Sequence, residues 1–220
     1  MKGPTNESVG TSFKVDLLQN ARNRTLEVIL EAAKSVRAGM TENEAKTLIQ
    51  SIQAQRGAAK SWHPPMIRFG KNTLLPFGQQ GIENPILQEN DIFFFDIGPI
   101  FEGHEGDVGR PFAFGKDPEM EKCCKDAGEI WQEVRNHWKT TGATGAALYD
   151  FGMKSAQNRG WVLTLDSANG HRIADFPHAA KMRGSIEGLD TTPSPNRWIL
   201  EIQIRHPHKE FGAFYEDLLD

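Results

Sequence analysis

Residues 91–101 read DIFFFDIGPIF, an aromatic and β-branched run with apolar side chains at both odd and even positions. A strand of that kind is buried on both faces, so it must lie inside a sheet covered by other elements. Yet Asp96 follows directly on Phe93, Phe94 and Phe95. An unpaired carboxylate there is costly enough that it takes up a proton or finds a partner: backbone N–H groups at a turn, or a cation. Residues 106–114, GDVGRPFAF, read as the neighbouring strand across a short turn, which makes the two a hairpin. Asp107 then lies where it and Asp96 can point into one cavity and share a cation. A salt bridge to Arg110 or a Gly-Asp turn would serve Asp107 as well.

Around this hairpin the pattern alternates. Residues 15–36 carry Leu17, Leu18, Ala21, Leu26, Ile29, Leu30 and Ala33 at helical spacing, with Gly39 as the stop. Thr41 and Glu44 form a capping box that opens a second helix reaching Gln55. Residues 61–90 are Pro-, Gly- and Asn-rich, as strands and turns are. Helices are expected again over 118–138 and over 144–157, the latter capped by Thr144, and strands and turns from Trp161 onward. Helices, strands, helices, strands indicate an α+β fold of two similar halves, although no sequence repeat is visible.

With 220 residues, 38% hydrophobic, and 21 glycines, the chain can close one sizeable core. A single domain over 1–220 with a flexible tail over 1–14 is expected. A net charge of −4 and the lack of a basic stripe exclude nucleic acid as a partner. No stretch approaches the roughly 18 apolar residues of a membrane span, and no signal-peptide core opens the chain. The adjacent Cys123 and Cys124 suit neither a disulfide framework nor a metal knuckle, so a soluble, cytoplasmic protein is expected.

Four more residues bear on the site. Glu201 in WILEIQI shares a strand face with Gln203 opposite Leu200 and Ile202, an ordinary half-exposed pattern. Glu216 in FYEDLL shares its face with Phe214 and Leu218, which puts an acid on an apolar face. His171 and His178 occur in NGHRIADFPH, a loop-like context suited to a site, whereas His137, His206 and His208 read as structural or exposed.

Taken together, FFFDIGP, HEGDVGRPF, NGHRIADFPH, WILEIQI and FYEDLL resemble, in order and spacing, the metal-ligand motifs of the methionine aminopeptidase, prolidase and creatinase family with its pita-bread fold. The resemblance implies that Asp96 binds one metal, His171 and Glu201 the other, and that Asp107 and Glu216 bridge them. It also implies that His63 lies near the substrate amide and that His178 polarises the scissile carbonyl or steadies the tetrahedral intermediate. Four carboxylates balance two divalent cations. The oxygen-rich donor set admits manganese, iron(II), cobalt or zinc, with manganese first by analogy to the family.

The implied function is cleavage of an amide bond by a metal-bridging hydroxide, as in an aminopeptidase or Xaa-Pro dipeptidase, with Glu201 as ligand and proton shuttle. The partner would be a small peptide or amide, and a homodimer is allowed. Two features depart from the family pattern. Arg172 follows the His ligand directly and Ala174 stands at another usual glycine, so Arg172 is expected either to bind a substrate carboxylate or to pair with Asp175. The residues before the first helix are too few for the N-terminal domain of prolidases and creatinases. A creatinase-like C–N hydrolase or lyase, or a non-catalytic binding protein, is therefore the alternative.

Overall fold

The computed structural model describes residues 7–166, 168–182 and 184–220, and the fold is built from those. Helices α1 (Val15–Ala33) and α2 (Glu42–Gln55) come first. Strands β1 (Met66–Phe69) and β2 (Asp91–Ile97), the short β3 (Ile100–Phe101) and β4 (His104–Glu105), and β5 (Val108–Phe114) follow. Helices α3 (Pro118–Thr141) and α4 (Gly145–Asn158) precede β6 (Val162–Thr164), β7 (His171–Arg172), β8 (Trp198–Arg205) and β9 (Gly212–Leu218).

The helices start where local chemistry favours them. Thr41 and Glu44 make the expected reciprocal capping box. Asp117 accepts from Glu119 and Met120 N–H at the start of α3, with Pro118 at the first turn. Gly142, at φ 65°, ends α3 in a left-handed cap. Helix α1 stops at Ala33, short of the expected Val36, and the chain turns so that Gly39 N–H donates to the Leu87 carbonyl and Leu87 N–H to the Met40 carbonyl.

The strands run antiparallel in the order β1-β2-β5-β9-β8-β6, with β7 paired to β8. The expected hairpin of β2 and β5 is present, but its connection holds a second small hairpin, β3–β4, rather than a plain turn. Each half has its own core. α1 and α2 pack on Phe93, Phe95, Ile97 and Val108, and α3 and α4 pack on Trp198, Leu200, Ile202 and Ile204. The strand alternation turns Asp96, Glu201 and Gln203 to the other face of the sheet.

Where the halves meet, Asp217 lies buried between Arg22 of α1 and Arg110 of β5 and is ion-paired to both. A buried carboxylate is tolerated only with such partners, so this triad fixes the register of β5 against β9. Arg110 therefore serves Asp217, and the alternative of an Asp107–Arg110 bridge does not hold. Residues 7–14, expected as part of a flexible tail, are held by specific bonds. Glu7 accepts from Trp198 Nε1 at 2.6 Å, Gly10 N–H donates to Asp175 at 2.7 Å, and Lys14 N–H donates to His104 Nε2 at 2.9 Å. The first six residues of the expected tail lie outside the described residues.

Candidate metal centre

The ladder partners Asp96↔Gly109, Gly109↔Glu216 and Glu216↔Glu201 place these four residues in one row across β2, β5, β9 and β8. Opposed residues of an antiparallel ladder point to the same face, so three carboxylates converge on one side of the sheet. Gly109 leaves the room for this. A Cβ there would stand 2.6 Å from Phe214 and 2.9 Å from the Cβ of Glu216, too close for β5 and β9 to pair as they do. Asp107, two residues before Gly109, adds the fourth carboxylate from the same edge. β7 delivers His171 alongside β8.

The five sequence-predicted ligands meet with His63 around a cavity of about 290 Å³. His171 Nε2 lies 3.1 Å from Asp107 Oδ2 and 3.1 Å from Glu216 Oε1, and His63 Nε2 lies 3.4 Å from Asp107 and 3.6 Å from Asp96. Two three-residue groups of metal-ligating atoms result: His63, Asp96 and Asp107; and Asp107, His171 and Glu216. Asp107 belongs to both. Glu201 stands beside them, its Oε2 accepting from Gly170 N–H at 2.7 Å and its backbone carbonyl from the Tyr149 hydroxyl at 3.0 Å. Its expected half-exposure is wrong. Both Glu201 and Gln203 are buried, because β8 is interior and Gln203 is covered by Thr73, whose carbonyl takes its amide.

Burial decides the electrostatics. It raises the Asp96 carboxyl to about 6 and the Glu201 carboxyl to about 7, and it pushes Glu216 well above the carboxylate range, with the neighbouring acids adding to it. Burial pushes Asp107 the same way, but hydrogen bonds from His171 and His63 outweigh it and hold Asp107 below its ordinary value. Burial opposes charge on His63, yet Asp96 and Asp107 bring it up to about 9, and against the same burial His171 is raised by its hydrogen bonds to Asp107 and Glu216. The two imidazoles thus stand where cations belong.

These residues fit divalent metal. Glu216 Oε2 is buried with no hydrogen-bond partner, and the buried Asp107 Oδ2 faces His171 Nε2 at 3.1 Å, an arrangement that leaves acceptor lone pairs waiting for a cation. Each imidazole bonds a backbone carbonyl through Nδ1, His63 to Pro64 and His171 to Arg172, both at 2.9 Å, which leaves Nε2 facing the acids.

Two predicted residues lie elsewhere. Arg172 follows His171 on a strand, so it points to the opposite side. Its guanidinium bonds the carbonyls of Ser8, Ile173 and Arg197 over the Trp198 ring, which leaves neither expected role. Asp175 accepts from Gly10 instead. His178 is half exposed, packed on Gly10 with Nδ1 3.9 Å from Asp175, and it does not line the cavity.

Conversely, Trp62 and Phe77 line the cavity without having been singled out. Trp62 packs 4.5 Å from the His63 ring and 5.3 Å from that of His171. Its place beside His63 in SWHPP was the available signal. Adjoining the cavity is a narrow recess of about 20 Å³ in which Met66, Leu75, Phe94 and Phe214 stand beside Asp96, Glu201 and Gln203.

The model of metallopeptidase family M24 matches residues 16–219. The chain belongs to that family. Among similar proteins of this M24 chain, an Xaa-Pro dipeptidase of Lactobacillus delbrueckii subsp. lactis is 23% identical over 76% of the chain and 46% of its own length. The prolidase of Pyrococcus horikoshii OT3 superposes with a TM-score of 0.78 at 14% identity, covering 97% of this chain and 60% of that one. The methionine aminopeptidase of Thermotoga maritima gives 0.76 at 14% identity, over 95% and 93%. The fold is thus the pita-bread fold of M24 proteins. The chain spans less than half the length of the curated relatives it matches. No helix among the described residues is long and apolar enough to cross a membrane.

Proposed function

We propose that this M24 chain is a two-metal peptidase that cleaves the first amide bond of a short peptide, as an aminopeptidase or an Xaa-Pro dipeptidase. The observation that carries the reading is the pair of ligand groups that share Asp107. A single-ion site has no use for two sets of converging acids, and without cations their repulsion costs stability. Asp96 would hold one ion and His171 and Glu201 the other, with Asp107 and Glu216 between them. When bound, the ions supply Lewis acidity that activates a water and polarises the amide carbonyl.

The chain's own residues do the rest. Glu201, fixed by Gly170 N–H and lining the cavity, accepts the proton of the attacking water and passes it to the leaving amine. His63, on the cavity wall with Trp62 against its ring, is the donor placed to hold the substrate amide. Manganese is the first ion to try, by likeness to the family. The free Cys123 and Cys124 suit a reducing, cytoplasmic setting.

Purified chain should cleave dipeptides or the N-terminal residue of oligopeptides in a manganese-stimulated, chelator-sensitive reaction, read by mass spectrometry across a peptide library that includes Xaa-Pro sequences. Absence of metal-stimulated cleavage throughout that library sinks the proposal. Faster turnover of guanidino or amidine metabolites than of any peptide replaces it with C–N hydrolysis of small molecules.

A further inference from the structure

A groove of about 490 Å³ runs between α2 and residues 58–65, and Trp62 and His63 line both this groove and the metal-centre cavity. One wall is a face of α2, where Lys46, Gln50, Gln53 and Ala54 recur at helical spacing. The other wall contributes Lys60 and Ser61. Two lysines and no acid line it, in a chain whose net charge is −4. The cavity next door is lined by four carboxylates.

Gln53 points to what enters. The residue is 4% exposed, and its amide Nε2 is buried with no hydrogen-bond partner. A buried donor left unpaired costs about 1–3 kcal/mol, which an acceptor oxygen on a bound molecule would recover. A peptide carries such oxygens on every residue. Its carboxylate end is also selected by the charges here: two bound divalent ions would balance the four acids next door, and the lysines attract the carboxylate end along the groove.

We propose that the groove is the subsite for the carboxylate end of a short peptide, with Lys46 and Lys60 providing the positive field and Gln53 Nε2 donating to a backbone or carboxylate oxygen of the bound segment. This rests on the peptidase reading for the nature of the ligand. It adds a selectivity to it: peptides with a free C-terminus are preferred over their C-terminal amides.

Isothermal titration calorimetry on the manganese-loaded full chain tests it, with a tripeptide whose first amide is replaced by a methyleneamine so that it cannot be cleaved. The free acid should bind at least about fivefold tighter than its C-terminal amide, roughly 1 kcal/mol at 1.4 kcal/mol per tenfold. Charge reversal at Lys46→Glu with Lys60→Glu, both away from the ligands, should abolish that preference. Gln53→Met should weaken acid and amide alike. Equal binding of acid and amide, no binding of either, or a preference that survives the charge reversal overturns the proposal. A chain that binds the acid selectively but cleaves no peptide refutes the peptidase reading and leaves the groove assigned. A chain that cleaves peptides while binding acid and amide equally does the opposite.

Discussion

Glu201 and Glu216 stand directly opposite one another in the β8–β9 ladder, and both are buried. Like charges at opposed positions of an antiparallel pair destabilise it. Burial raises both carboxyls, Glu201 to about 7, so without a cation the pair meets the conflict by holding protons. This conflict at the centre of the sheet makes sense only as a binding site, and it sets the first expectation.

Replacing Glu216 with Gln removes one of the two opposed acids while keeping its shape. The metal-free variant should be as stable as the parent or more stable by up to about 1 kcal/mol, which is about 2–4 °C in Tm for a chain of this size. Manganese should raise the Tm of the parent and leave that of the variant nearly unchanged. Differential scanning fluorimetry with and without chelator reads both. A variant that responds to metal as the parent does would remove Glu216 from the centre.

Gly109→Ala should damage the site through the sheet. The added Cβ would stand 2.6 Å from Phe214 and 2.9 Å from the Cβ of Glu216, so β5 and β9 must part. Overpacking of this kind costs about 1–3 kcal/mol. Because Glu216 moves with β9, metal affinity should fall together with thermal stability, seen in a metal titration followed calorimetrically. Unchanged metal affinity would mean that the Gly109–Glu216 contact does not position the ligand.

Arg172→Met should weaken the fold and spare the cavity. The guanidinium bonds three backbone carbonyls, among them that of Ser8 in the segment before α1. Charged hydrogen bonds contribute about 1.5–3 kcal/mol each when buried, so a loss of about 2–4 kcal/mol is expected in chemical denaturation. KM for any cleaved peptide should change little. A large rise in KM with unaltered stability would return Arg172 to substrate binding.

Asp126 supplies a stability that depends on pH. Burial pushes its carboxyl up, but bonds from Lys122 and Trp161 and the charge of Arg159 outweigh this and hold it below the ordinary value of 3.8. The unfolded chain therefore binds the proton first as the pH drops. The contribution is complete above 3.8 and is lost as the pH falls through the lower folded value. Asp126→Asn should be less stable than the parent at neutral pH by about 1–2 kcal/mol, allowing for the exposed Lys122 head, and the gap should close in acid. Urea denaturation at a series of pH values measures it. A gap independent of pH would show that Asp126 acts through packing alone.

Much of the fold was legible because its signals are local. The Thr41–Glu44 box, the Thr144 cap and the apolar spacing of α1 to α4 each depend on residues within a turn or two. The acids were legible as a group because Asp96 and Glu216 break apolar faces, and a charge in such a place announces a partner. The β3–β4 hairpin inside the 97–108 connection was not legible, since its strands are too short to carry a period.

Other features depend on which face and which neighbour the folded chain supplies. Nothing in WILEIQI says that Glu201 and Gln203 are buried; that follows from β8 lying inside the sheet under Thr73. His171 and Arg172 are adjacent and equally polar, yet strand alternation sends one into the centre and the other to the carbonyls of Ser8 and Arg197. His178 is taken up against Gly10, a contact between residues far apart in the chain. The sequence by itself determined the helices, the strands and the acids that need cations. Only the tertiary structure decided which of those groups share a cavity, because side-chain direction and long-range pairing are set by the sheet as a whole rather than by neighbours along the chain.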